Sequence, residues 1–289
     1  MRVEDVHKVC VLGAGAMGAG IAQVCSQAGY RVGMRDVEQR FVEAGFKRIR
    51  VPLMKRVEKG KMTAEQVEDI ASRIEGTTDV RAAVRDAELV IEAVPEKMDL
   101  KQEVWQEVDR VCPPNVIFAS NTSSLSITEM ATTTSRPDRF VGMHFFNPAP
   151  VMKLVEVIRG SETSADTVSF AKAFCVKVGK EPVEVKESPG FVVNRLLVPM
   201  MNEAFNLLLE GVATSEDIDK AMKLGTNMPM GPFELVDFTG LDIGLDTMET
   251  LFRETGDPKF RPSPLLRQYV RAGRLGRKTG RGVYDYAPP

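Results

Sequence analysis

Two side chains are suited by type and setting to move a proton. His144 ends the apolar run Arg139-Phe-Val-Gly-Met-His144, and Glu156 alternates with apolar neighbours in Leu154-Val-Glu156-Val. An acid inside such a run needs a partner, because an unpaired buried charge is strongly disfavoured. Paired with an imidazole, it forms a general base held in one tautomer. The other histidine, His7, precedes the first strand and lies away from the edge where ligands bind. Two polar strings accompany the pair. Ala119-Ser-Asn121-Thr-Ser123-Ser124 follows an apolar strand, where open α/β sheets bind ligands, although Ser124 or Ser126 could equally cap the next helix. Pro189-Gly-Phe-Val-Val-Asn194 puts an amide in the first turn of an interdomain helix, where it could meet a substrate or simply cap and pack.

A base needs an acceptor beside it, and the N-terminal segment supplies one. Lys8-Val-Cys-Val-Leu reads as a strand that breaks into Gly13-Ala-Gly15-Ala16-Met17-Gly18 and continues as a helix. In this spacing the first glycine takes the turn, the second admits a pyrophosphate, and the third lets helix and strand pack closely. The free N–H groups and positive dipole end of the helix, which Ala16 and Met17 open, then face the phosphates. A second strand, Tyr30 to Arg35, ends at Asp36, where a carboxylate meets the adenosine ribose and repels a 2′-phosphate. NAD is therefore expected over NADP, with Arg35 and Arg40 flanking the acid as the opposing influence. Oxidising a secondary alcohol removes a hydride and a proton from one carbinol group, so a dinucleotide and a histidine base together are what it requires.

The elements that must position these groups follow from the pattern. At 289 residues two domains are expected. Alternating strands and helices up to Val185 predict a doubly wound parallel sheet of Rossmann type over 1–187, and the long helices beyond Ser188-Pro-Gly190 predict an all-helical domain over 188–289. Between the second strand and the next, residues 38–73 read as two helices. Phe41, Phe46, Ile49, Leu53 and Val57 recur at helical spacing, Gly60 interrupts, and Thr63-Ala-Glu-Gln66 has capping-box form. So long a helical insertion is a candidate substrate-binding projection.

Composition narrows the partners. Thirty-eight Lys and Arg against 40 Asp and Glu give no global attraction for nucleic acid or anionic membrane. No apolar stretch reaches bilayer length, and Glu4 and Asp5 near the N-terminus suit neither a signal nor a transit peptide, so a cytoplasmic address is expected. Cys10, Cys25, Cys112 and Cys175 lack metal-ligand spacing and read as buried free thiols; no metal is expected.

The glycine turn, Ser120-Asn-Thr-Ser-Ser124, His144-Phe-Phe-Asn-Pro-Ala-Pro-Val-Met-Lys-Leu-Val-Glu156, Pro189-Gly-Phe-Val-Val-Asn194-Arg195, Met230-Gly-Pro-Phe-Glu-Leu and Gly276-Arg-Lys-Thr-Gly-Arg-Gly-Val-Tyr together resemble the L-3-hydroxyacyl-CoA dehydrogenase family over nearly the whole chain. The resemblance implies NAD-dependent interconversion of (S)-3-hydroxyacyl-CoA and 3-oxoacyl-CoA, with 3-hydroxybutanoyl-CoA and acetoacetyl-CoA as the expected pair. It makes His144 the base, Glu156 its orienting acid, and Ser123 and Asn194 groups on the substrate oxygen or acyl portion. It places Asp36, Glu96, Lys101, Asn121 and Lys278 near the cofactor. It also implies that the helical projection holds coenzyme A, with Lys55 and Lys59 near its phosphates and Lys47, Arg48, Arg50, Arg56 and Lys61 as their basic competitors, and that the helical domain forms a homodimer. Two other readings share the nucleotide fold: a sugar-acid dehydrogenase of the L-gulonate type, opposed by the basic projection, and an NAD(H)-holding redox sensor, opposed by the presence of both histidine and acid.

Overall fold

The computed structural model describes residues 1–286, which divide into two compact units, Met1–Ser188 and a second beginning at Pro189. The first is a sheet with helices. In chain order its elements are β1 (Lys8–Leu12), α1 (Ala16–Gln27), β2 (Arg31–Arg35), α2 (Gln39–Glu58), α3 (Ala64–Ser72), β3 (Ile74–Thr77), α4 (Val80–Val84), β4 (Leu89–Glu92), α5 (Met98–Val111), β5 (Ile117–Ser120), α6 (Ile127–Ala131), β6 (Phe140–Phe145), β7 (Leu154–Arg159), α7 (Ala165–Lys177) and β8 (Glu181–Lys186). The strands lie in the order β3-β2-β1-β4-β5-β6-β7-β8. Strands β1, β4 and β5 are buried throughout, so both faces are covered and their sequences are near-continuous apolar runs.

One pairing departs from the expected all-parallel sheet. Strand β7 runs antiparallel to β6, whereas β8 returns to parallel pairing with β7. Only residues 146–153 join β6 to β7, too few for the dozen or more that a parallel crossover needs, so the chain must reverse. Two short elements were also unmarked by periodicity: β3, which pairs with β2 at the sheet edge, and the five-residue α4.

The insertion is a pair of helices, and its core face is shifted from the expected one. Val42, Gly45, Ile49 and Leu53 are buried, while Phe41 is exposed and Phe46 and Val57 are partly buried. Gly45 sets the approach, since a Cβ there would lie 2.9 Å from the Ala14 Cβ. The capping box of α3 forms as read: the Gln66 N–H donates to Thr63 Oγ1 at 3.2 Å, and the Thr63 N–H donates to Gln66 Oε1 at 2.9 Å.

The second unit contains α8 (Val193–Leu209), α9 (Ser215–Thr226), α10 (Pro232–Thr239), α11 (Leu241–Thr255) and α12 (Pro264–Arg271) around Phe205, Phe233, Met248, Leu251 and Phe260. The cap of α9 is Thr214, not Ser215, because its hydroxyl accepts from the Asp217 N–H. Two buried aspartates fasten the C-terminal segment: Asp219 accepts from the Tyr284 hydroxyl at 2.8 Å, and Asp237 from the N–H groups of Val283 and Tyr284 and the Tyr286 hydroxyl. Among the described residues no helix is long and apolar enough to cross a membrane.

Candidate active site

The glycine turn links β1 to α1 and is shaped by what each glycine lacks. Gly13 has φ 100°, and a Cβ there would come 2.6 Å from the Ala93 carbonyl oxygen; one on Gly18 would come 1.8 Å from that of Gly13. A Cβ on Gly15 would meet nothing within 4 Å, so its absence leaves open space at the N-terminus of α1. That cradle fits a pyrophosphate. At the end of β2, Asp36 accepts from the Ala14 N–H through Oδ2 and from the Val37 N–H through Oδ1, both at 2.7 Å. The flanking guanidiniums are engaged elsewhere, Arg40 with Glu38 at 2.9 Å and Arg35 with the Thr78 carbonyl at 3.3 Å.

Next along the edge, β4 and β5 carry a buried polar chain. Glu92, the last residue of β4, lies opposite Leu12 of β1 and Ser120 of β5. It accepts from Lys101 Nζ at 2.6 Å, the Val94 N–H at 2.7 Å and the Ser120 hydroxyl at 2.6 Å. Lys101, 1% exposed, also donates to the Val94 carbonyl at 3.2 Å and sits 3.3 Å from Glu96 Oε2. Its ammonium is thus fully engaged within the protein. Glu96 Oε1 gathers the next loop: it accepts from the Thr122 hydroxyl at 2.6 Å, the Ser123 N–H at 2.8 Å, the Ser123 hydroxyl at 3.1 Å and the Ser124 N–H at 3.1 Å. Burial pushes the Glu96 pKa up, but Lys101 and these hydrogen bonds outweigh it and leave the carboxyl below its ordinary value. Asn121 ties this loop to β6, accepting from the Phe145 N–H at 2.9 Å.

The reversal of β7 brings His144 and Glu156 face to face. His144 and Glu156 are direct partners across the β6–β7 ladder, and Glu156 Oε2 lies 2.7 Å from His144 Nδ1. Both are buried, at 6% and 1% exposure, and Phe146 packs its ring 4.4 Å from the imidazole. A carboxylate accepting a hydrogen bond from Nδ1–H keeps the ring proton on that nitrogen, which makes Nε2 the basic one. The arrangement can accept a proton and hold the resulting imidazolium beside an anion.

The other expected residues lie farther along the chain. Lys55 and Lys59 are exposed at the C-terminal end of α2, near exposed Val51 and Met54. Among the described residues neither is ion-paired, and nor are the likewise exposed Lys47, Arg56 and Lys61, whereas Arg50 is held by Glu68 at 2.7 Å and Arg48 reaches the Ala14 carbonyl. Asn194 stands in the first turn of α8 in the second unit. Lys278, in the same unit, is paired with Asp242 at 2.6 Å. Ser126, not Ser124, caps α6. Cys10, Cys25 and Cys175 are buried free thiols, and Cys112 is half-buried. Sequence reasoning passed over Glu92, although it shows the same signal as Glu156: a carboxylate inside an apolar strand run.

Comparison with known proteins agrees with this geometry. Residues 8–188 match the model of the 3-hydroxyacyl-CoA dehydrogenase NAD binding domain, and residues 190–286 that of the 3-hydroxyacyl-CoA dehydrogenase C-terminal domain. A probable 3-hydroxybutyryl-CoA dehydrogenase of Bacillus subtilis is 52% identical over 282 residues, covering 98% of each chain. Human mitochondrial hydroxyacyl-coenzyme A dehydrogenase is 44% identical over 287 residues, 97% of this chain and 91% of that one. The crystal structure of (S)-3-hydroxybutyryl-CoA dehydrogenase from Ralstonia eutropha superposes with a TM-score of 0.93 at 49% identity, over 98% of this chain and all of that one. With both family domains matched over nearly the whole chain, the chain belongs to the 3-hydroxyacyl-CoA dehydrogenase family and is an NAD-dependent dehydrogenase.

Proposed function

We propose that the protein interconverts (S)-3-hydroxyacyl-CoA and 3-oxoacyl-CoA, with 3-hydroxybutanoyl-CoA and acetoacetyl-CoA as its substrate pair. The observation that carries this reading is the buried His144–Glu156 pair at 2.7 Å in an NAD-binding sheet. Bound NAD supplies the acceptor for two electrons and the hydrogen of C3. His144 takes the hydroxyl proton at Nε2, and Glu156 stabilises the imidazolium through Nδ1. In the reverse direction the same imidazolium returns the proton to the oxygen of the reduced ketone. Ser123 and Asn194 contact the substrate oxygen or position the acyl portion, and donors of this kind stabilise charge that develops on a carbonyl oxygen.

Asp36 binds the ribose hydroxyls, and Gly13, Gly15, Ala16, Met17 and Gly18 surround the pyrophosphate. Glu96, Asn121 and Lys278 serve the cofactor, and Lys101 acts through Glu96 because its ammonium is enclosed. Lys55 and Lys59 meet the phosphates of coenzyme A, a role compatible with their exposure and freedom from ion pairs among the described residues, features that Lys47, Arg56 and Lys61 share. Exposed Leu196, Leu209 and Val212 support a homodimer through the helical domain. Steady-state assays with acetoacetyl-CoA, longer 3-oxoacyl-CoA esters and free 3-oxo acids, each with NADH and NADPH, test the proposal. Efficient turnover of the four-carbon ester with NADH is expected; turnover of the free acids alone would transfer the activity to the sugar-acid branch.

A further inference from the structure

The dinucleotide must span a path that the strand order dictates. Asp36 follows β2 directly and His144 stands near the end of β6, and between them the edge presents β1, β4 and β5 in turn. Ligands of such sheets lie outside the carboxyl ends of the strands at the switch point, here between β1 and β4. With adenosine at Asp36 and pyrophosphate at the glycine turn, the nicotinamide half lies over the ends of β4 and β5. Those ends are where Glu92, Lys101, Glu96 and Ser120 sit. The contact is close, since the residue after Glu92, Ala93, is the one against which Gly13 packs.

This chain of charges is unbalanced. Glu92 is fully buried, and every hydrogen bond it makes is an accepted one, the pattern of a carboxylate anion. Two carboxylates share one ammonium, so the cluster carries one net negative charge, held away from water at its Glu92 end and without mobile counter-ions. The ligand's reacting ring is a cation when oxidised and neutral when reduced. A fixed, preorganised charge favours whichever ligand state has the opposite sign.

We propose that the Glu92–Lys101–Glu96 chain sets the relative affinity of the site for NAD+ and NADH, and that Glu92 supplies the excess negative charge that favours the oxidised form. Glu92 touches no ligand; it is a positioning and charge-setting residue acting through Lys101 and the loop that Glu96 holds. The inference rests on the NAD site and not on the acyl-CoA reading, since no substrate enters its test.

Calorimetric titration of NAD+ and NADH into the ligand-free protein, with circular dichroism and thermal unfolding as checks on folding, separates this role from a structural one. Glu92→Gln keeps the shape: its carbonyl accepts from Lys101 and Val94, and its amide donates to the Ser120 oxygen. A unit charge acting over about 10 Å at an effective dielectric of about 20 to 40 changes the ratio of the two association constants about 4- to 15-fold. Glu92→Gln is therefore expected to lower the NAD+ to NADH ratio by that factor. Glu96→Gln, which removes the charge of the chain's other carboxylate, is expected to lower it as well. Ser120→Ala removes a hydrogen bond but no charge and is expected to leave the ratio within about twofold. A folded Glu92→Gln variant whose two constants fall equally, or whose ratio does not move, overturns the proposal, as does a folded Glu96→Gln variant that leaves the ratio unmoved. If Glu92→Gln does not fold, Glu96→Gln against Ser120→Ala still decides.

Discussion

Replacing Glu156 by glutamine keeps the volume and one hydrogen-bond acceptor but removes the charge 2.7 Å from His144 Nδ1. The loss falls on the imidazolium formed when the alcohol gives up its proton, and much less on the neutral ring of the resting base. A hydrogen bond to a charged group contributes about 1.5–3 kcal/mol, and the burial of both partners puts this one toward the upper end. The Coulomb energy of unit charges about 4 Å apart at an effective dielectric of about 20, about 4 kcal/mol, is a ceiling. Oxidation of 3-hydroxybutanoyl-CoA, followed by NADH absorbance, should therefore slow about 10- to 160-fold in kcat. His144→Gln should lose about 10²–10⁴ in kcat while still binding NADH, and adding Glu156→Gln should cost little more. Near-normal turnover by His144→Gln, or a double variant showing the full product of the single losses, would refute the pair as one catalytic unit.

Asp36→Ala should raise the KM for NADH and narrow the preference over NADPH, since it removes the ribose acid and also the acceptor of the Ala14 N–H; an unchanged NADH to NADPH ratio of kcat/KM would count against the ribose role. Charge reversal of Lys55 and Lys59 together should raise the KM for acetoacetyl-CoA, more at low than at high ionic strength, and leave the KM for NADH nearly unchanged; an unaltered ester KM would move the coenzyme A site elsewhere. Burial and the hydrogen bond to Asp237 push the Tyr286 phenol up to about 12, against about 10 for an unfolded tyrosine. A raised folded value contributes stability that is complete below about pH 10 and lost as pH rises through about 12. Thermal unfolding of the wild type should therefore weaken over that interval more steeply than that of Tyr286→Phe.

Groups that act through local spacing were legible in the sequence. The glycine turn, Asp36 and the α3 capping box are short-range devices, and their geometry follows from a few consecutive residues. His144 and Glu156 were legible for another reason: each is a polar interruption of an apolar strand, and two such interruptions on neighbouring strands satisfy one another. The same argument applies to Glu92, but its partner Lys101 lies on a helix among ordinary surface charges, so nothing local marks it as buried. Strand β3 was missed because only Ile74 of its four residues is buried, so it shows no apolar run, and helix α4 because five residues cannot display a helical period. Phe41 gave way to Val42 on the core face of α2 because an adjacent residue on a helix turns by about 100°, and Gly45 fixes which side approaches Ala14.

The reversed strand has a consequence for how this fold can diversify. Because His144 and Glu156 are rungs of one ladder, their separation is governed by interstrand spacing and survives changes in the connection between the strands. That connection, residues 146–153, exposes Val151 and Met152 and is pinned from beneath by Lys180, which donates to the carbonyls of Ala149 and Met152. Residues between those two anchors can be exchanged, and the loop tip reshaped, without altering the distance between His144 and Glu156. An insertion inside either strand has no such freedom, since a shift of one residue would turn one partner to the opposite face of the sheet. Tolerance to length variation and intolerance to it thus lie within a few residues of each other, divided by the last rung of the ladder.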